Sequence, residues 1–298
     1  TAGAAARAAF FGARDAIAAK PTAEEIALRV QKFYDGTKTF RANFKQVYFI
    51  KVQNKKKESK GKVVFEKPGK MSFSYETPNG NRVVSDGKVI KVTTLAASGP
   101  GSLQAALDAS GPRIIVFTVS GVIAAPGDAN LELVISKGDV TIAGQTAPGA
   151  GITIRGQLFT DYSNPPSNII VRHLRVRPVY DGSNPSQFDA IQFSRSHHFI
   201  LDHVSVSGGA DETVDVYEAH DATVQWSAIE SSAEVVQPGD STPHNYGLIN
   251  GPDGSKLSVH HTLFAHHRVR SPSIANGPAE GIHNVVYNCL RGFVHNNP

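Results

Sequence analysis

Three aspartates have the types and spacing to bind a cation. Asp211 and Asp215, in the run ADETVDV, stand four apart in a stretch that reads as a strand. Side chains alternate along a strand, so Asp211, Thr213 and Asp215 share one side while Val214 and Val216 point inward. Asp189, in FDAIQF, falls one repeat earlier at a comparable place. Repeats stacked at strand spacing would bring the three carboxylates together. Such charges repel unless a cation holds them, and hard oxygen donors suit Ca²⁺. The same acids could equally form a solvated acidic face, and the residues alone leave both readings open.

Arg268 and Arg270, in FAHHRVRSP, follow a strand two repeats later and are expected to point to one side together. A guanidinium pair facing an acidic groove can grip a substrate carboxylate bidentately. On an open surface the pair would only solubilise. His244 lies beside the same groove, in a loop (237–247) rich in Gly, Pro, Ser and Thr, and is a weaker substrate-binding candidate. The pairs His197-His198, His260-His261 and His266-His267 suggest zinc. Neighbours on a strand face opposite ways, however, so each pair reads as turn or stacking residues rather than ligands of one metal.

A loose repeat must position these groups. The blocks NIIVRHLRV, HFILDHVSV, ATVQWSAIE, KLSVHHTLF and IHNVVYNCL superimpose as apolar–apolar–polar–polar–apolar units, without a helix of useful length between them. Coils of a parallel β-helix with loops of unequal length fit this pattern best. Upstream, Ser102 caps a short helix with Leu103, Ala106 and Leu107 inward. The β-branched run from Ile114 to Val119 reads as a strand buried on both faces. Further strands are expected at 140–143 and 152–155.

The first third differs. Residues 1–92 carry 14 Lys and 5 Arg against 8 acids, a net +11, whereas residues 93–298 carry 2 Lys and 9 Arg against 18 acids, a net −7. All 12 histidines fall in the second part. The shift places a junction near Val92–Thr94 and three segments: an Ala-rich leader at 1–20, a basic segment at 21–92 and an acidic one at 93–298. Ala16-Ile17-Ala18 has the form of a signal-peptidase site, although Arg14 and Asp15 interrupt the apolar core. Thr22, with Glu24 and Glu25, starts a helix carrying Ile26, Leu28, Val30 and Phe33, which stops at Asp35-Gly36. Alternating strands with explicit turns then form an antiparallel meander. The fold class is thus all-β dominant, a parallel β-helix with a small N-terminal helix and meander. No apolar run is long enough to span a membrane, and one cysteine, Cys289, forbids an internal disulfide. The basic charge is read as a solvated face, without a nucleic-acid partner.

Two resemblances follow. The runs VQKFYDGTKTFRANFKQVYF, GKVVFEKPGKMSFSYETPNG and VVSDGKVIKV resemble the outer-membrane lipoprotein carriers (LolA-like), over about half of such a domain. That resemblance implies part of an unclosed half-barrel and a possible lipid or lipoprotein contact through residues 21–92. From residue 93, the runs GPGSLQAAL, GPRIIVFTVSGVI, TIAGQTAPGAGITIRG, NIIVRHLRVRP, FILDHVSVSGGADETVDV and LFAHHRVRSP resemble the pectate lyases of polysaccharide lyase family 1.

That second resemblance implies a right-handed parallel β-helix, secreted or periplasmic. It also implies cleavage of polygalacturonate, or pectin-type acidic polysaccharide, by Ca²⁺-dependent β-elimination. Asp189, Asp211 and Asp215 match the family's calcium ligands, Arg270 the arginine that takes the proton from C5, and Asp202-His203 a structural pair near the site. Arg268 and His244 remain substrate-binding candidates. The chain departs from the pattern at Gln187, where a further aspartate is usual, at Ser273 and Ala275, where a second basic residue is common, and in lacking the substrate lysine. Rival readings are a non-catalytic β-helix that binds acidic polysaccharide and a periplasmic carrier-like module.

Overall fold

The computed structural model describes residues 21–50, 55–67, 70–77, 82–86, 88–180, 188–236, 239–274 and 277–295. The expected leader, with its Ala16-Ile17-Ala18 run, lies outside them, as do Gln187 and Ala275.

The helix Ala23–Gly36 begins as the sequence requires. Thr22 accepts a bond from the Glu25 amide, and Glu25 reaches back to the Thr22 amide, a capping box. None of its residues is buried. Four strands follow as an antiparallel sheet in sequence order, Thr39–Ile50, Lys55–Glu66, Lys70–Thr77 and Arg82–Asp86. Phe44, Phe73 and Tyr75 pack edge to face on it.

The next strand, Val89–Val92, pairs in parallel with Arg113–Phe117 and so opens the architecture that fills the rest of the chain. Three parallel sheets of eight, seven and seven strands wind as the coils of a right-handed parallel β-helix. Beyond Val89–Val92, each coil contributes one strand to each sheet. In one such coil, His197–Asp202 lies in the first sheet, Ser205–Ser207 in the second and Glu212–Asp215 in the third. The interior is a continuous column of Ile, Val, Leu and Phe, including Ile115, Ile142, Val171, Leu201, Val224 and Val259 from the first sheet. No single coil could bury these residues alone; each is covered only by its neighbours.

The helix Leu103–Leu107 closes the first end, capped by Ser102 and with Leu103, Ala106 and Leu107 buried. Arg113 is buried beneath it, donating to the carbonyls of Ala106, Leu107, Lys137 and Gly138. These are helix-end and turn oxygens that would otherwise lack partners. The strand Arg113–Phe117 is not buried on both faces, as its sequence suggests. Ile115 and Phe117 point into the column, while Ile114 and Val116 remain half-exposed.

The turn from the first sheet to the second repeats one backbone conformation. A left-handed residue stands there in successive coils: His173, His203, Trp226, His261 and His283, with φ between 50° and 55°. Their rings form a ladder up the side of the molecule. His173 and His203 stack at 4.6 Å, and Trp226 and His261 at 4.1 Å. The last block, IHNVVYNCL, is out of step with the others, because its turn residue His283 is its second position rather than its fifth or sixth.

Candidate active site

The third sheet and the loops entering it build a cleft of about 600 Å³, lined by Asp189, Asp211, Glu212, Asp215, His244 and Arg270 among others. Register assembles it. Ile191 pairs with Val214 and Gln192 with Asp215, which sets Asp189 beside the start of the next coil's strand. Its Oδ1 accepts the Glu212 amide at 2.8 Å. Carboxylate oxygens of Asp189, Asp211 and Glu212 lie within 4.8 Å of one another. Asp215 lines the same cleft, its Oδ1 accepting the Tyr217 amide at 2.6 Å and its Oδ2 the Ser194 hydroxyl at 3.2 Å.

The electrostatics are those of acids crowded out of water. Burial raises the Asp189 pKa well above the usual carboxylate range, and the charges of Asp215 and Asp211 push it further. Burial also raises Asp215, against the bonds it accepts. All these donors are hard oxygens on neighbouring coils, which fits a divalent cation such as Ca²⁺.

The simple alternation expected for ADETVDV does not hold. Asp211 precedes the strand Glu212–Asp215, so Glu212 joins Asp189 and Asp211. Thr213 is as fully buried as Val214, because its outer face is covered: its hydroxyl meets Ser232 at 2.7 Å. Ser232 in turn donates to the Tyr246 carbonyl and contacts His267 Nδ1.

Arg270 enters from two coils further on. Its φ of 63° is left-handed, a conformation costly for a long side chain and common where geometry serves a site. The strand Tyr246–Ile249 holds this turn: Gly247 lies against the Arg270 carbonyl, where any Cβ would collide, and the Leu248 amide donates to that oxygen at 2.6 Å. The guanidinium lies 4.0 Å over the Tyr246 ring and pairs with Glu212. Burial lowers its pKa, against the pull of Asp211 and Asp189.

His244 sits between two carboxylates, Nδ1 2.5 Å from Asp211 and Nε2 2.7 Å from Asp240, and stacks on Tyr246 at 4.4 Å. Arg268 does not share Arg270's direction. Its guanidinium reaches the Pro243 carbonyl at 3.5 Å and does not line the cleft. Nor does the Asp202-His203 pair. Asp202 is buried, accepting Arg172 Nε at 2.6 Å and Gln225 at 3.0 Å and lying 2.6 Å from His203 Nδ1, at the turn between the first two sheets. His203 lines a separate groove with the rest of the ring ladder. Ser273 is buried in its strand. Sequence reasoning missed Glu212, Tyr246 and Asp240. Glu212 was in view inside ADETVDV, but strict alternation turned it away from Asp211.

The chain is 38% identical over 222 residues to a probable pectate lyase C of Neosartorya fischeri, covering 74% of this chain and 47% of that protein. Over most of its length this chain is homologous to pectate lyases. It is 25% identical over 230 residues to a pectate trisaccharide-lyase of Thermotoga sp., covering 74% of this chain and 57% of that one. The chain thus spans about half the length of the pectate lyases it matches. The family profile described as outer membrane lipoprotein carrier protein LolA matches residues 35–98. Among solved structures, the cedar pollen allergen jun a 1 aligns with a TM-score of 0.49 at 16% identity, over 65% of this chain and 58% of that one.

Proposed function

We propose that this pectate-lyase homologue cleaves polygalacturonate by calcium-dependent β-elimination, outside the cytoplasm in a secreted or periplasmic setting. The observation that carries this reading is Arg270, half-buried in a cleft whose other charged walls are Asp189, Asp211, Glu212 and Asp215. A bare acidic cleft would repel a polyuronate. Asp189, Asp211 and Asp215, with Glu212 alongside, would hold Ca²⁺, which when bound offsets that repulsion and acidifies the proton α to the substrate carboxylate.

The chain's own residues supply the rest. Arg270 takes the C5 proton, the C4–O4 bond breaks, the electron pair closes a C4–C5 double bond, and the departing oxygen leaves with a proton from solvent. A guanidinium is ordinarily too weakly acidic to be found deprotonated. Burial, which lowers the Arg270 pKa, reduces that obstacle. Tyr246 beneath it and Glu212 beside it fix its direction, and His244, held by Asp211 and Asp240, forms the wall next to it.

The test is ultraviolet absorbance of unsaturated product from polygalacturonate at alkaline pH, with Ca²⁺ and then with chelator. Growth that chelator stops is the expected result. No growth from a folded, calcium-binding sample would reduce the reading to a polysaccharide-binding β-helix.

A second reading concerns residues 21–92. An apolar groove of about 590 Å³, lined by Phe33, Tyr34, Phe40, Phe65 and Met71, runs beside the exposed helix and supports lipid contact there. Binding of a fluorescent fatty acid, lost in Phe65→Asp, is the expected outcome; no binding by the intact chain rejects it.

A further inference from the structure

Away from the cleft, where the chain returns from the third sheet to the first, three imidazoles cluster. His197 and His220 are register partners on adjacent strands. Their ring centroids lie 4.9 Å apart, and His198 stands 5.0 Å from His197 and 6.4 Å from His220. Alternation should have sent His197 and His198 to opposite faces. It does not, because His198 adopts a left-handed φ of 53° that turns its ring back to its neighbour's side.

Two details mark these rings as more than a stack. His220 Nδ1 lies 2.9 Å from Asp221 Oδ2, so the carboxylate accepts the ring N–H and leaves Nε2 bare. That is the arrangement by which outer carboxylates fix and strengthen histidine ligands. His197 Nδ1 is shielded from solvent and has no hydrogen-bond partner. An unmatched polar nitrogen costs stability unless something fills it.

We infer that His197, His198 and His220 form a binding site for a borderline divalent transition metal such as Zn²⁺ or Co²⁺, with Asp221 orienting His220. Three imidazoles suit such ions and not the hard Ca²⁺ expected in the cleft. Only the spacing of His198 and His220, 6.4 Å, is wider than a shared metal would hold it. His198 is exposed, so its ring is free to swing inward. Lys256, 3.2 Å from the other oxygen of Asp221, anchors the carboxylate from the far side.

The test is Co²⁺ binding by the whole chain in excess Ca²⁺, followed by visible absorption and by calorimetry with Zn²⁺. One equivalent should bind with the intensified bands of a low-coordinate nitrogen site. Affinity should fall at least tenfold in His220→Ala and in His198→Ala. The latter changes an exposed residue, so it leaves folding intact and remains informative if His220→Ala does not fold. His261→Ala, in the ring ladder, should bind as wild type. Unchanged affinity in His198→Ala, loss of binding in His261→Ala, or no binding at all would overturn the assignment.

Discussion

The guanidinium of Arg270 rests 4.0 Å from the centre of the Tyr246 ring, a residue of the preceding coil that is itself register partner to Glu212. One aromatic side chain thus carries the arginine between two coils and aims it at the acidic wall. A cation over an aromatic face is worth about 0.5–2 kcal/mol, more when water is excluded.

Tyr246→Leu should therefore cut product formation about 2- to 30-fold, while Tyr246→Phe, which keeps the ring face, stays near wild type. Initial rates on polygalacturonate at saturating Ca²⁺ check both. Equal losses in the two variants would mean that the hydroxyl, not the ring, matters.

Removing calcium should expose the strain of the acidic cluster. Asp189 has its pKa raised by burial and by neighbouring acids, so its ionisation costs the folded chain stability. Without Ca²⁺, that stability is greatest at low pH and declines as pH rises from the ordinary carboxylate value through the raised one. Chelator at neutral pH should therefore lower the melting temperature, and Ca²⁺ should restore it. Asp189→Asn should be more stable than wild type in chelator, by roughly 2–4 °C per kcal/mol relieved, and should lose most of the calcium response. A wild-type chain indifferent to both additives would contradict the cluster's assignment.

His267 gives a separate pH signature. It is buried, its Nε2 lies 2.9 Å from the Ile229 carbonyl and its Nδ1 2.6 Å from Ser232. The carbonyl can only accept, so Nε2 carries the proton and Nδ1 lies against the Ser232 hydroxyl oxygen. Burial pushes its pKa down from 6.5 to about 4. Between these values the unfolded chain takes up a proton that the folded chain refuses. Stability is then complete above about 6.5, falls as pH drops and levels off below about 4, a loss on the order of 3 kcal/mol. Urea midpoints across that range should fall more steeply for wild type than for His267→Gln. Parallel curves would refute the assignment.

Much of this was legible in the sequence, for physical reasons. The inward apolar residues of each coil and the caps at Thr22 and Ser102 follow from periodicity and capping chemistry; the stacking of repeats offered Asp189, Asp211 and Asp215 as a cluster without deciding between a cation site and a solvated face, and Arg270's role came from the family resemblance. What was not legible depended on backbone that departs from ideal strand. Glu212 faces the cleft because the strand begins after Asp211. Arg268 and Arg270 diverge because Arg270 is left-handed, and left-handed turns at His173, His203, Trp226, His261 and His283 build a ring ladder that alternation cannot foresee. Asp240 acts from a loop, and Tyr246 from the start of the strand that follows it, and no local pattern encodes the path of that loop over the third sheet.

The most direct test compares wild type with Arg270→Ala in the ultraviolet assay on polygalacturonate, with Ca²⁺ binding measured on both samples. The account predicts steady absorbance growth for wild type and a loss of at least about 100-fold in the variant, the scale of a missing general base, with calcium binding retained. A folded, calcium-binding Arg270→Ala chain that turns over as fast as wild type would contradict it.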